Sequence, residues 1–499
     1  MADNKKDKKE PVIIQTDTGE KNGQNKCPKC GATDISVNAN NGKLRCNFCR
    51  HEFDPQKLEG MVEDINNLQG DVIASGATDI VADAKDVITF KCSSCGAEVV
   101  VDTASSQSAR CHWCRNVLSV NEQIPNGAVP DVVLPFSIKK EEAQTEIKKF
   151  VEKRKFFAHP QFKKEFTTDN IIGVYFPYML VDINAHSLYK GDGEHTTRTY
   201  YEGSGDNQRR YYDADAYHIE REFDLTINGL SIESNSDRLD TTSKTKTNNI
   251  INSIMPFDVE NAVKFNANYT RGYNSEKRDI NIDSLKNIVN IQAADISRFA
   301  ANDSLQGYDR GVAWREQNVD IKGTQWKSAY LPVWLYSYQE KKNGKSLLHY
   351  VAVNARTKET MGSVPIHMPV LIGASFLVEL LGVLGVLFVD WDYRYLFLLL
   401  GFIYFLIMYS RYRNSGARHT YESETKKNVR NLRKVDQFFE SRRRLSYSRM
   451  DGANNTVLNG AKNKDMLSKI KNSSLVNGVA DKDLMAGIVK DAIDKSKNK

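Results

Sequence analysis

The chain has 499 residues, with 69 Lys and Arg against 63 Asp and Glu, a net charge of +6, and a mean hydropathy of −0.52. That length is enough for two to four domains. The hydropathy excludes a polytopic transporter, and 12 prolines and 30 glycines are too few for a fibrous or low-complexity chain. From Arg411 onward there are 21 basic and 10 acidic residues, whereas residues 1–410 hold 48 and 53. This excludes a nucleic-acid coat protein, whose positive charge would follow its folded domains.

Residues 1–20 are polar, contain no apolar secretory core and are expected to be disordered. All eight cysteines follow, in four Cys-x-x-Cys pairs: Cys27/Cys30 and Cys46/Cys49, then Cys92/Cys95 and Cys111/Cys114. Each couple of pairs is separated by 15 residues, and the arrangement repeats at an offset of 65. A Cys-x-x-Cys turn presents two thiolates from one knuckle, and two knuckles on facing hairpins complete a tetrahedral four-sulfur cage suited to zinc. The spacing predicts two zinc ribbons, at 21–60 and 87–122, joined by a linker at 61–86. A rubredoxin-like iron site is the chemical rival, and disulfides would need an oxidising compartment. His51 and His112 flank complete cages and read as bystanders. Four thiolates leave no open position for water, so the two ions are structural, and ribbons this short need the metal to fold. Residues 21–120 hold 11 basic and 12 acidic residues. Thiolate-bound zinc adds further negative charge, so protein docking is favoured over nucleic-acid binding.

Residues 123–367 read as an α+β domain. Ala143, Ile147, Phe150 and Val151 recur at helical spacing within 141–157, as do Leu285, Ile288 and Ile291 within 281–299. Strands are predicted from Val174, Tyr217 and Ala329, and a strand, an Asn-containing turn and a return strand from His349. Leu134-Pro135-Phe136 precedes one helix and Tyr175-Phe176-Pro177 follows it; Met255-Pro256-Phe257 and Tyr330-Leu331-Pro332 repeat that order. This order fits an internal duplication, although the separations differ, and the prolines suggest edge strands or strand starts.

No catalytic motif stands out. Gly344-Lys345-Ser346 resembles the end of a P-loop, but Gln339 occupies the place of its first glycine. Gly191-Asp192-Gly193 reads as a turn. Tyr200, Tyr201, Tyr211, Tyr212 and Tyr217 alternate with acidic residues and read as a solvated sheet rather than a base-stacking surface.

Residues 370–389 contain one charge, Glu379, and a second apolar run follows at 391–410. Together they predict a two-helix transmembrane hairpin over 368–410. Residues 411–449 hold 12 basic and four acidic residues, which by the positive-inside rule places this flank, and with it both termini, in the cytoplasm. Glu379 would mark an oligomer contact or proton-linked switch, or be a neutral acid bonded to the neighbouring helix. Gly373, Gly382 and Gly385 would permit close helix approach. Val429, Leu432, Val435 and Phe439 have helical spacing, so the basic tail, 411–499, is expected to include an amphipathic helix lying on anionic lipid.

The paired CPKC/CNFC and CSSC/CHWC ribbons, LPFSIKKEEA, GVYFPYML, YLPVWLYSY, YVAVNARTKETMGSVP and the apolar hairpin resemble a bacterial membrane family with paired transcription-factor-IIB-type zinc ribbons. The family is associated with phage-shock and other envelope-stress systems, and some members carry a primosomal-helicase-like label. The resemblance implies a non-enzymatic scaffold that meets phage-shock protein A and an SPFH or virion-core-like partner. A membrane-tethered nucleic-acid-binding protein and an enzyme housed in the α+β domain are the competing expectations. The long basic tail departs from the family pattern.

Overall fold

The computed structural model describes residues 11–14, 27, 29–30, 35–38, 43–54, 64–80, 87–91, 98–102, 123–124, 130–205, 208–235, 251–265, 269, 273–276, 278–342, 345–388, 394–413 and 419–446. The architecture is mixed α+β. The strands are β1 (Val12–Ile14), β2 (Ile35–Val37), β3 (Leu44–Cys46), β4 (Glu52–Phe53), β5 (Gly70–Ala74), β6 (Val87–Lys91), β7 (Glu98–Asp102), β8 (Gln123–Ile124) and β9 (Val132–Val133). They continue with β10 (Ile172–Glu202), β11 (Arg209–Glu233), β12 (Val263–Lys264), β13 (Asn274–Ser275), β14 (Val312–Lys342), β15 (Lys345–Asn354), β16 (Thr360–Gly362) and β17 (Lys426–Leu445). The helices are α1 (Lys140–Glu152), α2 (Pro160–Glu165), α3 (Ile282–Asp303), α4 (Met368–Phe388), α5 (Leu400–Arg413) and α6 (Tyr421–Glu424).

The core of the molecule is an antiparallel pair, β10 and β14, each 31 residues long, several times the ordinary strand length. β11 returns along β10, and β15 returns along β14. The two aromatic–proline motifs face each other near one end of the paired stretch: Tyr175 faces Pro332, Phe176 faces Leu331, and Pro177 faces Tyr330. The order helix, long strand, return strand thus occurs twice around a local two-fold. α1 packs its Ala143, Ile147, Phe150 and Val151 face with Trp334, Tyr336, Val351 and Val353 of the second hairpin. α3 packs Leu285, Val289, Ala293 and Ile296 against β10 and β11 of the first.

The prolines are not at sheet edges. Both lie inside the central strands, but each falls in a gap between two outer strands. Pro177 separates the β13 pairing at Val174–Tyr175 from the β11 pairing that begins at Tyr178. Pro332 separates the β9 pairing at Ala329–Tyr330 from the β15 pairing that begins at Val333. A residue without an N–H is tolerated where the neighbouring ladder is interrupted.

Three further sequence expectations are corrected. Gly191 and Gly193 lie within β10, not in a turn. A Cβ at Gly191 would come within 2.2 Å of the Ala313 carbonyl oxygen, because β14 closes on a register shift there. Within the stretch read as a linker, β5 pairs in parallel with β14 and β1, and Leu68, Val72 and Ala77 are buried. β1 belongs to the stretch expected to be disordered; its Val-Ile-Ile run has a β-branched partner in β5.

The largest correction concerns the basic tail. Residues 426–445 form β17, an antiparallel strand along β11, rather than a helix. Register shifts opposite Ala216/Tyr217 and Glu222/Asp224 drop Phe439, Asn431 and Leu432 out of the regular pairing. These bulges break the period-two alternation and leave Val429, Leu432, Val435 and Phe439 at spacings that mimic a helix face. The strand is favoured because β11 presents carboxylates to its cations. Arg443 faces Asp213, Arg433 faces Glu222 and bonds it at 3.2 Å, and Arg430 faces Asp224. Arg221, almost wholly buried, forms a two-pronged ion pair with Asp436. The fully buried Glu194 lies 2.8 Å from Arg444 Nε and accepts from the Tyr212 hydroxyl at 3.2 Å.

α4 contains one stretch, Met368–Val386, long and apolar enough to cross a membrane, with 17 % of its most apolar window buried. The second apolar run, Phe397–Tyr412, is shorter and begins in a 3-10 turn, Arg394–Leu399. The two pack closely. A Cβ at Gly382 would approach the Phe397 carbonyl oxygen to 2.2 Å, and one at Gly401 would approach the Ser375 carbonyl oxygen to 2.4 Å. Glu379 accepts a hydrogen bond from the Gly401 N–H at 2.7 Å. Gly385 also faces Phe397, whereas Gly373 faces open space.

Candidate metal centre

The first ribbon is a small antiparallel sheet, β2–β3–β4, with Ile35 opposite Cys46 and Leu44 opposite Phe53. The second knuckle closes through Arg50, whose N–H donates to the Cys46 carbonyl at 2.9 Å, and through the Cys46 N–H, which donates to the His51 carbonyl at 3.0 Å. Arg50 holds φ at 59°, the left-handed turn that ends such a knuckle. The Cys49 N–H points at the Cys46 Sγ at 3.5 Å.

These constraints bring Cys27, Cys30, Cys46 and Cys49 together with all four sulfurs within 4.8 Å of one another. Two cross-knuckle pairs, Cys27–Cys49 and Cys30–Cys46, are each 3.6 Å apart. A tetrahedral ion with metal–sulfur bonds of about 2.3 Å requires sulfur separations of about 3.8 Å, so the set fits zinc. It does not fit disulfides, and all four thiols are free. Burial pushes the Cys27 thiol up. The N–H groups of Lys29 and Cys30 and the thiols of Cys49 and Cys30 outweigh it and bring the pKa down to about 7, which favours the thiolate that a metal needs. Among the described residues this is the one group able to hold a metal ion. His51 stacks on Phe53 and is not part of it.

The ribbon is seated on the main sheet where the two aromatic–proline motifs face each other. Leu44 and Phe53 pack in one cluster with Tyr175, Tyr330, Tyr269, Val133 and Val263. Tyr175 and Tyr330 are the motif tyrosines of the local two-fold, with ring centroids 6.0 Å apart. The four-cysteine group thus sits on a small sheet that packs over the two motif tyrosines.

Cys92, Cys95, Cys111 and Cys114 lie outside the described residues. The strands bracketing the first two are described: β6 ends at Lys91 and β7 begins at Glu98, and the two pair in antiparallel fashion. His112 and Gly344 also lie outside the described residues. Lys345 and Ser346 open β15 in a strand hairpin, which is not the strand-to-helix setting of a P-loop. Tyr200, Tyr201, Tyr211, Tyr212 and Tyr217 all lie on the paired strands β10 and β11.

The sequence reading missed a buried polar cluster at the far end of the sheet. Asp192 bonds His218 Nδ1 at 2.7 Å and is ion-paired with Arg315; nearby, Glu194 meets Arg442 and Arg444. Its signal was the alternation of small and acidic residues in Gly191–Glu194, here a strand segment whose glycines face the core and whose acids, both buried, share the opposite face.

No protein-family model matches this chain, and no solved structure matches it. It is similar to the uncharacterized protein YdjG of Bacillus subtilis (strain 168), with 25% identity over 346 residues that cover 68% of this chain and 89% of that protein.

Proposed function

We propose that the protein is a non-enzymatic membrane scaffold of bacteria. Its zinc ribbons and α+β body dock cytoplasmic proteins at the inner face of the bilayer, and an α4–α5 hairpin anchors them there. The observation that carries this reading is the outer surface of the helix pair. Ile372, Phe376, Leu377, Leu381, Phe402 and Ile407 are each more than half exposed. An apolar surface of this kind is stable in lipid and a liability in water.

Length supports two crossings. The 21 residues of α4 rise about 32 Å. The six 3-10 residues and 14 residues of α5 together rise about 33 Å, because a 3-10 turn advances about 2.0 Å per residue. Both match a hydrocarbon core of about 30 Å. Both outer ends are tied to the same loop. The His367 N–H donates to the Phe157 carbonyl, and the Tyr412 hydroxyl accepts from the Phe157 N–H. The chain after α5 therefore rejoins the side from which α4 left, and the basic flank makes that side the cytoplasm. Two structural zinc ions, one per ribbon, complete the proposal. By the resemblance of the sequence, the docked proteins are phage-shock protein A and an SPFH or virion-core-like protein. Nucleic acid is disfavoured because carboxylates of the same sheet engage much of the basic strand.

The test is a fractionation of cells expressing the full chain. The protein should resist alkaline extraction, keep both ends intact when spheroplasts meet external protease, and carry two zinc ions by elemental analysis. Affinity purification after nuclease treatment should retain the two named partners. A freely extractable protein, or loss of either end to external protease, would overturn the anchor and its orientation. Partner loss on nuclease treatment would point to nucleic-acid binding instead.

A further inference from the structure

The basic tail was the expected lipid contact, but β11 holds residues 426–445 as a strand. A different basic segment lies beside the helix pair. Residues 153–164 contain five Lys and Arg and no acidic residue. They connect α1 to α2 and continue through it, and they are stitched to both ends of the apolar pair. On the α4 side, the His159 N–H donates to the Pro365 carbonyl at 2.8 Å, Ala158 bridges Ile366, and the His367 N–H donates to the Phe157 carbonyl at 2.8 Å. On the α5 side, the Phe157 N–H donates to the Tyr412 hydroxyl at 3.0 Å, and Arg154 Nε donates to the Arg411 carbonyl at 3.0 Å.

These bonds fix the depth of the segment. Phe157 is buried, with its ring 5.8 Å from that of Tyr412 and 6.4 Å from that of Tyr404. It lies along the last two turns of α5, at a tyrosine level typical of a membrane–water boundary. Its neighbour Phe156 sets its ring edge-on to that of Phe157, 4.7 Å away, yet is 73 % exposed, and Lys163 Nζ holds its backbone carbonyl at 3.1 Å. Lys153 and Lys155, just before it in the chain, are exposed, and among the described residues neither has an acidic partner. An exposed phenylalanine next to unpaired lysines, beside apolar helices, has the composition of an interfacial anchor.

We infer that residues 153–157 form a second, peripheral membrane contact. Phe156 enters the boundary between headgroups and acyl chains, and Lys153, Lys155 and Arg411 meet the phosphates of anionic phospholipid. This inference rests on the membrane reading of the helix pair and names its lipid class. The contact would hold the α+β body at a fixed tilt on the bilayer, which a helix pair alone does not dictate.

The test uses the full chain in vesicles, with p-benzoylphenylalanine in place of Phe156 in one variant and in place of Phe376 of α4 in another. Ultraviolet crosslinking is read by mass, in neutral phosphatidylcholine and in mixtures with phosphatidylglycerol. Both variants should yield lipid adducts. At position 156, phosphatidylglycerol should be enriched about threefold over its share of the mixture, falling to parity at high salt and in the double variant Lys153→Glu, Lys155→Glu. Adducts at 376 but none at 156 would overturn the inference while leaving the anchor intact. No lipid adduct at either position would overturn the membrane reading itself. A protein adduct at 156 would assign the loop to a partner and overturn the lipid contact.

Discussion

Two regions of the molecule carry side chains that cannot be left alone, and they resolve the problem in opposite ways. Along the β11–β17 edge, cations and carboxylates find each other across the strands: Arg221 with Asp436, Arg433 with Glu222, Arg444 with Glu194. Along α4 and α5, tight glycine contacts satisfy the inner faces, but the outer faces stay apolar and open. Charge asymmetry in a sequence can thus be consumed inside the fold, whereas apolarity in excess of what a core absorbs reports an external environment. The charged edge should respond to charge deletion, acid and salt, and the helix pair only to shape.

The largest effect is expected at Glu194. Glu194→Ala leaves Arg442 and Arg444 facing a buried void and should destabilise the α+β body by about 3–5 kcal/mol, read by urea unfolding in detergent. A loss below about 1 kcal/mol would mean that the edge is not held by its buried charge. Next comes shape: Gly401→Leu forces a side chain against Ser375 and Glu379 and should cost about 1–3 kcal/mol. It should loosen α4 and α5 in hydrogen exchange while leaving β17 protected; equal loosening of both would erase the distinction.

Acid should separate the two regions more gently. Hydrogen bonds from His186 and Asn431 and the Lys322 ammonium hold Asp224 below the usual carboxylate range, against an opposing push from burial. Burial pushes Asp436 up, but Arg221 and Tyr308 outweigh it and hold it low. Both folded-state values are depressed. Their contribution is therefore complete above the ordinary Asp value of about 4 and is lost as pH falls through the folded values. Amide protection in β17, corrected for intrinsic exchange, should stay flat from pH 7 to 5 and fall below about 4, while protection in α4 does not move. The smallest effect belongs to Arg433→Ala, which removes an exposed pair with Glu222 and should cost about 0.2–1 kcal/mol, shrinking further in high salt.

What the sequence made legible was what local periodicity encodes. The helical spacing of Ala143, Ile147, Phe150 and Val151 became the buried face of α1, and the run from Leu285 became α3. The turn at Asn354 is real: its side chain accepts from the Arg356 and Thr357 N–H groups before β16 returns. The first cysteine cage could be read because its ligands lie close in sequence and the knuckle geometry is local. The extent of β10 and β14 could not. Their outer halves are polar, and they persist as strands because each is paired with its return strand and, along much of its length, with the other long strand far away in the chain. β17 was misread for the same reason, since nothing within residues 426–445 announces the carboxylates of β11 some 200 residues earlier. The seat of the ribbon on Tyr175 and Tyr330 is likewise a tertiary fact.

The position of β17 in chain order has a temporal consequence. Its template, β11, is complete at Glu233, yet some 190 residues, including both apolar helices, must be made before Lys426 arrives. At about 5–20 residues per second, the acidic edge stands bare for roughly 10–40 s of synthesis. On the proposed membrane reading, the apolar helices would emerge and leave water during that interval, and only a chain whose second helix had returned could deliver the closing strand. Completion of the sheet would then serve as a maturation checkpoint for the helix pair. Ribosome-stalled chains ending before Lys426 should be cut by protease within β11, and chains extended well past Leu445 should resist, provided that membranes are present during translation.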